Sequence, residues 1–251
     1  MKKLKDIRYE TGQKTGWNSL DATLRGPEGL VIVGARPGMG KSTFGINIAE
    51  YVSFHEKKAS LIFSLELPEK AVRQRIILSS QKGMMAIYDE PKPDINKIKS
   101  IAWEYKQRFG SLGVIVIDYI QLLADYKGNM DTARSNTIGN LYRNLKLLSE
   151  ELDCPVIALS QLTRKLENRS DRRPKLSDLK ASRAAKQSAD TIIFLYRDEY
   201  YNKYNTKKKG IAEVIIAKNR DSETGTIEMS FQPPIMRFVE KSEAESSRVW
   251  E

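Results

Sequence analysis

Cysteine and histidine are almost missing from this 251-residue chain, which holds one of each, Cys154 and His55. A single thiol excludes an internal disulfide framework and fits a reducing cytoplasm. Set between Leu152 and Pro155-Val156-Ile157, Cys154 reads as core packing rather than as a nucleophile. One imidazole leaves zinc sites built on several histidines without material. Long hydrophobic runs are missing too, none approaching the roughly 20 residues that span a bilayer. The start, MKKLKDIRYETG, has no apolar centre of the kind a secretory leader needs. A cytoplasmic protein without membrane contact is expected. An acidic excess is also lacking: 42 Lys/Arg face 32 Asp/Glu, for a net charge of +10. No internal repeat is visible.

The chain is long enough for one sizeable α/β domain, and 40% apolar residues with a mean hydropathy of −0.49 fit a globular protein. Its organising stretch is Val31–Thr43, VIVGARPGMGKST. An apolar run from Leu30 to Val33 enters a loop of Gly and Pro, then Lys41-Ser42-Thr43, then a helix-like segment from Phe44 to Val52. That is the strand–loop–helix order of a phosphate-binding loop, in which backbone N–H groups and a helix N-terminus wrap phosphates and a Lys reaches the outer ones. Ala35 stands where the strict motif asks for its first Gly. The competing reading is a Gly-rich turn that merely starts a helix, and Lys41-Ser42 behind an apolar strand argues against it. Ala35, Arg36, Pro37, Gly38, Met39, Gly40, Lys41, Ser42 and Thr43 are therefore assigned to nucleoside triphosphate, with ATP and Mg²⁺ as the expected ligands.

Along the rest of the chain, apolar strands are expected at Ser60–Leu65, Gly113–Ile117, Val156–Leu159 and Ile192–Tyr196, alternating with helices. Pro68-Glu69-Lys70 opens a helix through about Ser79, and residues 81–92 read as irregular. Residues 94–109 read as an amphipathic helix with Ile95, Ile98, Ile101, Ala102 and Tyr105 on one face. A long helix is expected over 136–152, carrying Ile138, Leu141, Leu145, Leu148 and Leu152. Strands 212–218 and 226–231 close the chain as a hairpin. The pattern predicts a mostly parallel sheet covered by helices on both faces, ended by an antiparallel hairpin. Boundaries are set at 1–14 for an arm, 15–240 for the domain and 241–251 for a tail.

In such a sheet the ligand lies outside the carboxyl ends of the strands, so the polar residues there are the candidates. Ser42 and Asp118 suit a metal ion, as a hydroxyl and a carboxylate beside the phosphates. Glu66 is placed as general base for the attacking water, against the plainer reading of a helix-start carboxylate before Pro68. Gln161 is placed to sense the terminal phosphate, against a plain loop amide. Lys218 and Arg220, two apart on the hairpin, face one side if the strand continues that far. Either they reach a neighbour's triphosphate or they are a charged hairpin tip. Between Arg164 and Lys186 nine basic residues face three acidic ones, more than half of the whole net charge. Arg164, Lys165, Arg169, Arg172, Arg173, Lys175, Lys180 and Arg183 are the candidates for contact with a polyanion; a solvated charged face is the alternative.

Several segments together resemble a family. TGWNSLD (15–21), GARPGMGKSTFGINIA (34–49), FSLELP (63–68), VIVIDYIQLL (114–123), CPVIALSQLTRKLENRSDRRPKLSDLK (154–180), DTIIFLYRDEYY (190–201) and IIAKNRDSETGT (215–226) are similar to the C-terminal, RecA-like ATPase domain of DnaB-type replicative DNA helicases. The resemblance implies a RecA-like P-loop NTPase fold and an ATP-driven helicase working as a hexameric ring on single-stranded DNA, with a helicase loader and primase as possible partners. It implies phosphate and Mg²⁺ roles for Lys41, Ser42 and Asp118. Glu66 becomes the catalytic carboxylate, Gln161 a sensor, and Lys218 and Arg220 fingers acting in trans. It also implies that residues 124–136 and 164–183 face a central channel.

Three departures from the family stand out. The family's N-terminal domain has no counterpart here, which implies an excised domain or a short phage- or plasmid-like form. The region from Ser80 to Asp94 is contracted. Where the family carries Arg-Glu-Ser-Gly, this chain reads Lys180-Ala181-Ser182-Arg183. The altered stretch keeps a second reading open: a DNA-binding ATPase of the same fold with a loader-like or accessory role and little unwinding.

Overall fold

The computed structural model describes residues 12–76, 83–91, 93–123 and 131–241. The expected arm up to Thr11, the end of the helix predicted through Ser79, residues 124–130 of the expected channel loop and the tail beyond Lys241 lie outside the described residues.

The apolar runs become strands: β1 Leu30–Ala35, β2 Ala59–Ser64, β3 Met85–Tyr88, β4 Leu112–Asp118, β5 Val156–Gln161, β6 Thr191–Tyr196, β7 Ile211–Asn219, β8 Gly225–Gln232 and β9 Arg237–Glu240. They form one sheet in the order β3-β2-β4-β5-β1-β6-β7-β8-β9. β3 to β6 in that order are parallel, and β7, β8 and β9 add antiparallel pairings. The helices are α1 Asn18–Leu24, α2 Lys41–Phe54, α3 Glu69–Arg73, α4 Ile95–Phe109, α5 Asp131–Leu152, α6 Ser182–Ser188 and α7 Asp198–Tyr201.

Successive strand residues point to opposite faces, and both faces are buried. In β1, Leu30 and Ile32 join one core with α4 and α5, while Val31, Val33 and Ala35 join another with α1 and α2. β4 divides the same way, Ile115 and Ile117 against Val114 and Val116. Two-sided burial is why these strands are continuously apolar rather than alternating. Full burial of one such Ile or Phe contributes about 1.5–3 kcal/mol. The predicted face of α4 is the one that packs, with Ile98, Ile101 and Ala102 buried and Ile95 and Tyr105 partly so. Asp94 caps that helix, its carboxylate accepting from Lys97 N–H at 2.7 Å. All five predicted apolar positions of α5 are buried.

Some expectations need correction. The 81–92 region is not wholly irregular, because Met85–Tyr88 forms the edge strand beside β2. The helix after Pro68 is shorter than expected, since α3 ends at Arg73 with Gln74 as its C-cap. α5 begins at Asp131, so the second half of the expected 124–136 loop is helical. The closing hairpin is a three-stranded meander, since β9 pairs with β8. Phe238 of β9 meets Phe44 edge-on at 5.4 Å, and the Trp17 indole donates to its carbonyl at 2.9 Å. No helix among the described residues is long and apolar enough to cross a membrane.

Candidate functional site

β1 delivers the phosphate-loop sequence to the carboxyl edge of the sheet, and α2 starts directly after it. Gly40 ends the loop at φ +93 and precedes α2 without a side-chain cap; the helix's first turn carries no acidic residue. Its positive end is open to an anion. A Cβ on Gly40 would come within 2.8 Å of the Phe238 ring, and one on Gly38, at φ +80, within 2.5 Å of Tyr200. Glycine is required at both positions for conformation and for space. The loop is also held from the side. Arg36 donates to the Leu162 carbonyl and to Glu167, each at 2.8 Å. Arg197 donates to the Gly38 carbonyl at 3.1 Å and covers the Phe231 ring at 4.3 Å. Ala35 is fully buried at the end of β1, which is why a small residue stands there.

Lys41 and Asp118 meet across the sheet edge, Nζ to Oδ1 at 2.6 Å, with side chains 10% and 6% exposed. The Leu65 N–H donates to the Asp118 carbonyl at 2.7 Å, extending β2 along the end of β4. The Ser64 hydroxyl then closes the turn on the Leu67 carbonyl at 2.6 Å. Those two bonds bring the exposed Glu66 over the phosphate loop. Glu66, Arg36, Lys41 and Ser42 line one cavity of about 360 Å³. Sequence reasoning missed Arg75, Phe231 and Met236 on the same wall. No local pattern marks them, since their approach depends on the α3 turn and the meander. Gln161 ends β5. Its backbone N–H donates to the Gln121 side chain, which donates in turn to the Ser160 hydroxyl and the Gln161 carbonyl. Gln121 therefore fixes the end of β5 from the 3₁₀ turn at Ile120–Leu122.

Lys218 and Arg220 lie elsewhere. β7 runs antiparallel to β6, with Asn219 beside Thr191, so both cations sit at the amino ends of β1 and β6. The six residues of β1, about 17 Å of strand, separate them from the phosphate loop of their own chain. β7 ends at Asn219, yet one further ladder bond forms, Arg220 N–H to the Asp190 carbonyl at 3.0 Å. Neither cation lacks an in-chain partner. Lys218 donates to the carbonyls of Lys186 and Ala189, and Arg220 pairs with Asp190 at 2.8 Å. Burial, then the nearby Arg220 charge, lowers the Lys218 pKa.

The basic segment folds back on its own chain at three points. Arg169 grips Asp178 at 2.8 Å, Arg172 donates to the Glu167 carbonyl at 3.2 Å, and Arg173 holds Glu213 through two bonds of 2.7 Å. Arg164, Lys165, Lys175 and Arg183 are exposed, and Lys180 is half-buried. Burial pushes the Cys154 thiol up to about 12, which suits packing and not nucleophilic chemistry.

The family model for the DnaB-like helicase C-terminal domain matches residues 12–85 and 79–240. The replicative DNA helicase DnaB of Pasteurella multocida (strain Pm70) is 37% identical over 270 residues, covering 95% of this chain and 57% of that protein. The replicative DNA helicase DnaB of Geobacillus stearothermophilus is 36% identical over 259 residues, 91% of this chain and 56% of that protein. The chain thus spans little more than half the length of these relatives. Among solved structures, the ATPase domain of G40P superposes with a TM-score of 0.85 at 34% identity, covering 92% of each chain. A DnaB-like replicative helicase, solved in a study of its interactions with primase, gives 0.84 at 34% identity, covering 92% of this chain and 62% of that one.

Proposed function

The chain belongs to the DnaB-like helicase C-terminal domain family, and from that premise we propose that it is the ATP-hydrolysing motor of a replicative DNA helicase. The reading makes 15–240 the ATPase domain of a cytoplasmic homo-oligomer, a hexameric ring translocating on single-stranded DNA. The carrying observation is the Lys41–Asp118 pair at the carboxyl edge of the sheet, beside a cavity that also holds Ser42 and Glu66.

The first-turn N–H groups of α2 and the Lys41 ammonium bind the triphosphate. The donor set fits Mg²⁺: a hydroxyl on Ser42 and a carboxylate on Asp118 are hard oxygen ligands, and among the described residues no group of three or more His, Cys, Asp or Glu forms an all-protein cage. Bound through Ser42 and Asp118, the metal supplies charge neutralisation of the phosphate oxygens. Glu66 accepts the proton of the attacking water at its carboxylate. Gln161, its backbone fixed by Gln121, hydrogen-bonds the terminal phosphate and registers its departure.

Lys218 and Arg220 face away from their own phosphate loop, which supports a role in trans. Copies stacked head to tail bring one chain's Arg220 toward the next chain's triphosphate, and a head-to-tail interface whose rotation closes makes a ring. Arg164, Lys165, Lys175, Lys180 and Arg183 contact DNA phosphates, while Arg169, Arg172 and Arg173 hold the segment in shape. Binding of this kind is indifferent to sequence and steeply salt-dependent. A loader and primase are the expected further partners.

Steady-state ATP hydrolysis with and without single-stranded DNA, at two ionic strengths, tests the reading. Stimulation by DNA that weakens with salt and vanishes in Lys41→Ala is expected. Absence of hydrolysis by the unaltered chain overturns it.

A further inference from the structure

Asp190 immediately precedes β6 and gathers partners from three places: β1, α5 and the residue that follows β7. Its Oδ2 accepts the Leu30 N–H at the start of β1 and the Lys146 ammonium from α5, each at 2.8 Å. Its Oδ1 pairs with the Arg220 guanidinium at 2.8 Å, and its carbonyl accepts the Arg220 N–H at 3.0 Å. The carboxylate side chain is 10% exposed, whereas that of Arg220 is 48% exposed. Arg220 borders a cleft of about 600 Å³ that Lys58, Lys146 and Glu150 also line. One edge of the guanidinium is therefore fixed against a buried carboxylate, and the rest faces open space. Five N–H donors on a rigid plane leave enough to grip a phosphate after one is committed to Asp190.

Lys218 is held by the same stretch of chain. Its ammonium donates to the carbonyls of Lys186 in α6 and of Ala189, the residue before Asp190. Residues 186–190 thus hold both cations, and they follow directly on the basic segment. A second ion-pair partner on the opposite oxygen, Lys146, keeps the carboxylate from turning toward either cation alone.

We infer that Asp190 is the positioning residue of Arg220, holding its guanidinium extended toward the neighbouring subunit's triphosphate. The inference rests on the trans reading of Arg220 given above. A long side chain fixed before the anion arrives loses less rotamer freedom on engaging it, and its charge is aimed where charge develops in the transition state. Lys146 steadies Asp190 and takes no part in the reaction itself.

Subunit mixing separates this role from general stability. Lys41→Ala lacks a working phosphate loop but keeps Arg220, and Arg220→Ala has the reverse defect. Each alone is expected to be inactive, and a random 1:1 mixture to regain DNA-stimulated hydrolysis at about a quarter of its interfaces. Absence of that recovery overturns the trans reading, and the role of Asp190 with it. Where it occurs, Asp190→Asn is read in the same assay. Alone, its kcat falls about a hundredfold with KM for ATP unchanged, as expected for a misplaced charge. Mixed with Lys41→Ala it regains activity as fully as Arg220→Ala does, which shows that its fold and phosphate loop are sound. Mixed with Arg220→Ala it stays inactive. Recovery with Arg220→Ala, failure with Lys41→Ala, or an unchanged or raised kcat for Asp190→Asn alone overturns the assignment.

Discussion

The Lys41 ammonium and the Asp118 carboxylate are two charges almost out of water, and each neutralises the other. Removing one partner of such a pair leaves a buried charge uncompensated, at a cost of about 3–5 kcal/mol. Asp118→Ala is thus expected to lower stability by that amount when urea unfolding is followed without added nucleotide. The Lys41→Ala/Asp118→Ala double variant should lose less than the sum of its singles, with a coupling of about 1–3 kcal/mol. Additive losses would mean that the pair is not formed in solution. At this scale the sequence announces residues that follow apolar strands, which is how Lys41, Ser42, Glu66 and Asp118 could be named as one group. It is silent on partners distant in the chain. Nothing local tells that Arg36 finds Glu167, that Arg173 finds Glu213, or that Arg75 and Met236 approach the phosphate loop.

Strands buried on both faces and helices with one apolar stripe carry strong patterns, and they were legible as elements. β3 and β9 were not, each being four residues long. β3 is half-buried throughout at the sheet edge, and β9 depends on Phe238 meeting Phe44 and Phe231, contacts that no window of sequence contains. The same elements carry a pH dependence. Glu213 on β7 is lowered despite its burial, because Arg173 and Lys208 hydrogen-bond its carboxylate, and Glu228 on β8, held by Lys208 and Lys241, is lowered to about 2 from the ordinary 4.5. Folded values below unfolded ones mean that this stabilisation is present above about pH 4.5 and is lost as pH falls through the folded values. The double variant Glu213→Gln/Glu228→Gln should melt lower than the unaltered chain at pH 7 and show a shallower loss of melting temperature between pH 4.5 and 2. An equally steep acid limb would assign it to other carboxylates. A second element-level outcome concerns Arg36 and Glu167, which tie the phosphate loop to the basic segment. Glu167→Ala should leave DNA-independent hydrolysis in place and reduce its stimulation by single-stranded DNA. Unchanged stimulation would show that this ion pair does not couple the two.

Across the whole molecule the sheet sets two ends apart. The phosphate-loop sequence, Glu66 and Asp118 occupy one, and Lys218, Arg220 and Asp190 the other, so a chain offers a phosphate-loop edge and a cationic edge that no single copy brings together. Antiparallel β7 is the device that carries the cations there; the expected hairpin concerned only its pairing with β8, so neither its direction against β6 nor the in-chain partners of the cations could be read from the sequence. Charge is divided likewise within the basic segment, where some cations shape the fold and others remain exposed. Lys180→Ala and Arg183→Ala should each weaken single-stranded DNA binding and reduce the slope of log affinity against log salt by about one. An unchanged slope would place the DNA path elsewhere. ATP-dependent displacement of a strand from a forked duplex tests the motor most directly, with Lys41→Ala and Glu66→Gln as the controls. Displacement by the unaltered chain that needs hydrolysable ATP and is lost in both variants is the expected result. DNA-stimulated hydrolysis without any displacement would contradict it and leave a DNA-binding ATPase that does not unwind.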